Sequence, residues 1–253
     1  MDATLIEPVA VFVLGLIIGS FCNVVIYRLP MGKSIIAPGS HCRACSAPIL
    51  PWDNIPLLSY VLLRGQCRVC KESISLRYPS VELVSGILYV LLWFKFGLSI
   101  PFAVYAALTS TLLTVALIDY DHKIIPNTIT LPGLAVGLGL SVWALPLTPL
   151  ASLLGMLIGG ALFYLIAVVS KGGMGGGDIK LIAMIGAFLG WQGALFTIFA
   201  GALLGSLVGG TLMLLGRKGR KDKVPFGPFL SCGAILFMLS GEDLVQWYLD
   251  LLS

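Results

Sequence analysis

Gly172-Gly173-Met174-Gly175-Gly176-Gly177-Asp178-Ile179-Lys180 is a glycine run ending in a carboxylate, with long apolar segments on both sides. Glycine has no Cβ, so the backbone here can turn sharply and another chain can approach it closely. An acid beside a membrane-length apolar run is costly unless it is hydrated or paired. At a bilayer centre the penalty for Asp is roughly 2.5–3.5 kcal/mol on insertion scales, so a retained acid is a candidate for function. The plainer reading is a loop whose acid caps the next helix.

A second acidic stretch changes the balance. Leu117-Ile118-Asp119-Tyr120-Asp121-His122-Lys123-Ile124-Ile125-Pro126-Asn127 closes another apolar run. Two carboxylates from separate helices, at one membrane depth, are what an aspartic protease needs. An ionised Asp takes a proton from water while a protonated Asp polarises the carbonyl. Like charges held close cannot both ionise, so the pair holds one proton. Asp119 and Asp121 point to nearly opposite sides of a continuing helix. Asp119 directly follows the apolar run and is the favoured member of a packed pair with Asp178. Asp121, beside His122 and Lys123, stands as the alternative, and its plain role is an exposed ion pair.

Composition sets the class. Hydrophobic residues make up 58% of the chain and charged ones 11%, which a soluble enzyme of this size would not carry in such uninterrupted runs. Several runs reach the length of about 20 residues that crosses a hydrocarbon core. The expectation is an all-α polytopic membrane protein with about eight transmembrane helices. They are placed near 8–29, 80–97, 101–118, 129–145, 150–169, 178–190, 194–215 and 224–240. The first span lacks a basic leader and a small-residue cleavage site, so it does not read as a removable signal. The net charge of +4 speaks to membrane orientation, and no nucleic-acid partner is expected. With both ends outside, every Lys and Arg except Lys95 falls on the cytoplasmic side, including the basic loop Arg217 to Lys223. The same topology brings the Asp119 and Asp178 loops to that side. Residues 241–253, with Trp247 and Tyr248, suit a membrane interface.

The division follows from these spans: 1–29 as the first helix, 30–79 as a cytoplasmic cysteine segment, 80–253 as the helical domain carrying the acids. The cysteine segment contains Cys42-Arg43-Ala44-Cys45 and Cys67-Arg68-Val69-Cys70. Two CxxC pairs offer four thiolates to one tetrahedral zinc. One or two disulfides, or free thiols, are the alternatives. The basic residues around the segment place it on the reducing side and favour zinc. Four Cys leave no open coordination position, so the metal would be structural, holding a segment with little core of its own. His41 reads as a bystander, Asn23 as an interhelical hydrogen-bonding residue, and Glu82 as a charge near a helix N-terminus.

At this point the sequence resembles the bacterial type IV prepilin peptidase family. The match rests on Gly19-Ser20-Phe21-Cys22-Asn23-Val24-Val25-Ile26-Tyr27-Arg28-Leu29-Pro30, the paired CxxC motifs, Arg77-Tyr78-Pro79 followed by Glu82-Leu83, Asp119 before Ile125-Pro126-Asn127, and Gly175-Gly176-Gly177-Asp178 as a GxGD motif. Cys22 stands where Leu is common. The resemblance implies an intramembrane aspartic peptidase of the inner membrane. It implies cleavage of the basic leader of prepilins or pseudopilins at the cytoplasmic face, commonly followed by N-methylation with S-adenosylmethionine. By the family pattern, Asp119 and Asp178 are catalytic, Cys42, Cys45, Cys67 and Cys70 bind zinc, and Gly175, Gly176 and Gly177 give an extended substrate access to the backbone. No G-x-G-x-x-G cofactor fingerprint follows a strand. The competing readings are a transporter or channel with a zinc-stabilised module, since intramembrane acids and glycine-broken helices occur there too, and a non-enzymatic envelope assembly factor.

Overall fold

The structure is a computed structural model that describes residues 3–171, 173–216, 224–241, 243–244 and 250. Gly172, the basic loop from Arg217 to Lys223, and Trp247 and Tyr248 lie outside the described residues. Helices dominate: α1 (Ala3–Arg28), α2 (Leu58–Leu62), α3 (Arg77–Phe96), α4 (Ile100–His122), α5 (Asn127–Leu140), α6 (Pro149–Val169), α7 (Gly176–Leu214) and α8 (Gly227–Leu236), the last continued by a π turn over Phe237–Gly241. Among the described residues, α1, α3, α4, α6 and α7 are long and apolar enough to cross a membrane, and α5 and α8 are shorter apolar helices. The chain is therefore an all-α, multi-pass membrane protein.

Helix α7 explains the count. It runs for 39 residues, twice the span of one crossing, but Gly190 breaks it with φ 71° and ψ −177°. Only glycine adopts that backbone at low cost. The break divides α7 into the sixth and seventh apolar segments without the loop expected at Gly190–Gly193. With that division the apolar helices follow the expected order. Helix α7 begins two residues before Asp178, because Gly175 serves as its N-cap in extended conformation. Helix α4 runs past Ile118 to His122 and stops at left-handed Lys123, whose amide returns to the Asp119 carbonyl at 2.8 Å. Asn127 and Thr128 do not cap α5; Pro126 holds the N-cap position without a side-chain bond.

The chain forms two compact units, residues 1–98 with 106–110, and residues 99–105 with 111–253. In the first, α1 and α3 touch backbone to backbone. A Cβ on Gly15 would lie 2.7 Å from Gly86 Cα, and one on Gly19 would lie 2.8 Å from Glu82 Cα. Such close approach is how helices associate in lipid, where apolar burial gives little drive. Asn23 Nδ2 donates to the Tyr78 carbonyl at 3.1 Å, the interhelical bond its position suggested. Packing thus groups the second apolar helix with the first and with the cysteine segment.

In the second unit, α7 packs against α5, α6 and α8. Gly155 of α6 meets the backbone of Gly186 and Gly190, and Ser152 Oγ donates to the Ala187 carbonyl at 2.5 Å. A side chain at residue 155 would force α6 off α7. Gly155→Val is therefore expected to destabilise this unit by about 1–3 kcal/mol, read as a lower melting temperature in detergent. Unchanged melting would show that α6 can shift without loss.

Candidate functional site

The last turn of α4 and the first turn of α7 carry the two acids. Asp119 is 6% exposed although it sits one turn from the helix end. Its Oδ2 accepts the amide of Gly227 at 2.9 Å. Gly227 is the first residue of α8 and Pro228 follows, so the amide is one of the donors a helix N-terminus leaves unpaired. A Cβ on Gly227 would lie 2.7 Å from that same Oδ2. Sequence reasoning missed Gly227. The signal was Gly-Pro opening an apolar run, a helix-start pattern that does not say what its amides face.

Asp178 occupies the third helical position of α7, and its carboxylate takes a hydrogen bond from the N-cap amide of Gly175. This is the reach-back of a capping box, so the helix-capping reading holds. The same carboxylate also lies within electrostatic range of Asp119. Asp178 Oδ1 is buried without a protein hydrogen-bond partner. The two acids are thus brought together in a largely dry site, with one carboxylate oxygen left for a proton, a water or a substrate. Asp121 is exposed, as is its neighbour Tyr120 at 68%. The glycines differ from one another. Gly176 has open space beside it, Gly175 faces Asp178 Oδ2, and Gly177 is covered by Ile125, whose Cβ would be 2.8 Å from an added Cβ. Lys180 Nζ donates to Asn127 Oδ1 at 2.9 Å, tying the start of α7 to the start of α5.

The cysteine segment, in the first unit, folds as two matching knuckles. In the first, the Cys42 amide bonds the Ala47 carbonyl and the Ser46 amide returns to the Cys42 carbonyl, each at 2.9 Å. In the second, Cys67 bonds Glu72 at 2.8 Å and Lys71 returns to Cys67 at 3.1 Å. Ser46 and Lys71 take the left-handed conformation at equivalent places, φ 59° and 61°. The sulfurs of Cys42, Cys45, Cys67 and Cys70 lie within 4.8 Å of one another, and Cys42 Sγ is 3.7 Å from Cys70 Sγ. Ligands about 2.3 Å from a tetrahedral zinc sit about 3.8 Å apart, so the four thiols fit the metal. None is in a disulfide. His41 bonds Gly39 instead and stays outside the cluster. Arg68 clamps Asp53 through two bonds of 2.6 and 2.7 Å, an exposed pair of small energetic weight.

The amides of Cys45 and Ala44 lower the Cys42 thiol to about 6. At Cys70 the Glu72 amide pulls the other way, but burial and the bonds to Cys45, Cys67 and Cys42 push that thiol up to about 12. In metal-free protein Cys42 is then thiolate at neutral pH while Cys70 stays a thiol. Iodoacetamide should alkylate Cys42 first at pH 7, and the rate should drop as pH falls through about 6, where the thiolate is lost. Equal labelling of the two across that window would refute this order. A bound dication would hold all four as thiolates and suppress the labelling.

Comparison with known proteins places these sites. Residues 13–96 match the bacterial peptidase A24 N-terminal domain, and residues 106–210 match the type IV leader peptidase family. The chain is similar to a prepilin leader peptidase/N-methyltransferase of Pseudomonas putida, 36% identical over 95% of this chain and 93% of that protein. It is also similar to one of Bacillus subtilis, 37% identical over 95% and 97%, and to one of Myxococcus xanthus, 41% identical over 85% and 66%. No solved structure matches. The chain belongs to the type IV leader peptidase family.

Proposed function

We propose that this protein removes the leader of type IV prepilins or pseudopilins at the cytoplasmic face of the inner membrane and then N-methylates the new terminus. The observation that carries the reading is the pairing of Asp119 and Asp178, delivered by separate apolar helices to one largely dry site. One carboxylate, ionised, takes a proton from the attacking water. The other, protonated, donates to the scissile carbonyl oxygen, and protons then return through the pair to the leaving amine. Gly227 orients Asp119 through its amide. The open backbone at Gly176 supports access by an extended substrate segment, since a helix hides its carbonyls in its own bonds. The four cysteines would hold a structural zinc. S-adenosylmethionine supplies an electrophilic methyl: its S–C bond breaks as a bond to the terminal amine nitrogen forms, the electron pair stays with sulfur, and the amine proton passes to water.

Family membership and the names of the relatives favour this reading over a transporter or an assembly factor. The test is purified protein incubated with a prepilin, followed by intact mass. Loss of the leader mass is expected, with one methyl added when the donor is present. An unchanged substrate mass would overturn the peptidase reading. Removal of metal by a chelator should lower folded yield rather than alter the cleavage position, because the cysteine site is structural.

A further inference from the structure

The first unit contains a cavity of about 580 Å³ between α1, α3 and the cysteine segment. That volume is in the range of small-molecule pockets, about 300–1,000 Å³. The acid pair belongs to the other unit and does not use it. Glu82 lines the cavity and is 8% exposed. Its carboxylate accepts the amide of Leu57 at 2.9 Å and the hydroxyl of Ser20, and among the described residues no Lys, Arg or His forms an ion pair with it. It is therefore not the helix-end charge its position suggested but a buried acid satisfied only by neutral donors. A buried carboxylate facing a cavity without a counter-charge suits a cationic ligand group.

The same lining carries the opposite charge. The Arg43 guanidinium lies 3.6 Å from the centroid of the Tyr27 ring and 5.4 Å from that of Tyr78. It pairs with no carboxylate among the described residues. The other arginine of this wall, Arg28, is already engaged by the carbonyls of Ser34 and Gly39, both at 3.1 Å. One unpaired acid, one stacked guanidinium and aromatic faces together fit a ligand with a cation, a carboxylate and a planar ring.

We propose that this cavity is the S-adenosylmethionine site, with Glu82 answering the sulfonium charge, Arg43 the carboxylate, and the tyrosine faces an apolar surface for the ring system. The inference rests on the methyl-transfer reading above and adds its location. It has a consequence for turnover. S-adenosylhomocysteine, the demethylated product, has no positive charge at sulfur, so Glu82 ceases to hold it.

The test is isothermal titration of the full chain in detergent with S-adenosylmethionine and, separately, S-adenosylhomocysteine. Wild type should prefer the methyl donor. Glu82→Gln should weaken donor binding by about tenfold or more and change product binding by less than about twofold, so the preference collapses. Arg43→Gln should weaken both alike. A merely structural Glu82 would move both ligands together, and that result, or wild-type affinities in Glu82→Gln, overturns the proposal. A second measurement needs no substitution. Ultraviolet crosslinking of radiolabelled donor to wild-type protein should mark peptides within residues 20–28 or 40–82, and label confined elsewhere refutes the site. Leader removal by wild type is scored apart. Cleavage and methylation with donor bound elsewhere sink this inference alone, whereas no donor binding at all sinks the methyl-transfer reading with it.

Discussion

Asp119→Asn and Asp178→Asn are each expected to abolish leader removal, by about 10⁴-fold or more, while the protein still inserts and folds. Asn keeps the shape and the acceptor for the Gly227 or Gly175 amide but cannot hold or pass the catalytic proton. The double substitution should be no worse than either single one, because the two acids act as one unit. Asp121→Asn should stay within about threefold of wild type, since Asp121 is exposed while Asp119 is buried. The measurement is the rate of leader release from a prepilin in vesicles, normalised to the amount of enzyme. Normal cleavage by Asp119→Asn with none by Asp121→Asn would reassign the first acid. Activity in both Asp119→Asn and Asp178→Asn would end the aspartic mechanism.

Gly227→Ala is the second large effect. The added methyl would sit 2.7 Å from Asp119 Oδ2, so either α8 or the carboxylate must move. The amide bond of 2.9 Å is lost in both cases. A hydrogen bond to a charged group is worth about 1.5–3 kcal/mol, which converts to a fall of about 10- to 100-fold in kcat if the bond orients the acid for reaction. Gly210→Ala is the control, because nothing lies within 4 Å of a Cβ at that helical position, and it should cleave like wild type. Gly227→Ala with wild-type kcat would show that the α8 terminus does not position Asp119.

Much of this was written in local pattern. The apolar runs are long enough, and the basic residues sparse enough, that a membrane-crossing helical chain followed from residue order alone. The CxxC pairs announced a four-sulfur cluster because ligand spacing within a knuckle is a local property. The two acids stood out for the same reason: each ends an apolar run where a charge is expensive.

Tertiary structure decided what depends on distant neighbours. The choice of Asp119 as the buried acid rests on which side of α4 is covered, and residues two apart carry the same local signal. The Gly227 amide comes from 108 residues away, so no window around Asp119 contains it. At Gly190 the sequence marked a boundary, but only the backbone conformation shows that the two segments join through one left-handed glycine rather than a loop. Glu82 looked like a helix-end charge. Its burial, its bond to Leu57 and the cavity it lines arise from the cysteine segment folding back over α1 and α3, and such an environment exists only once those parts of the chain have packed.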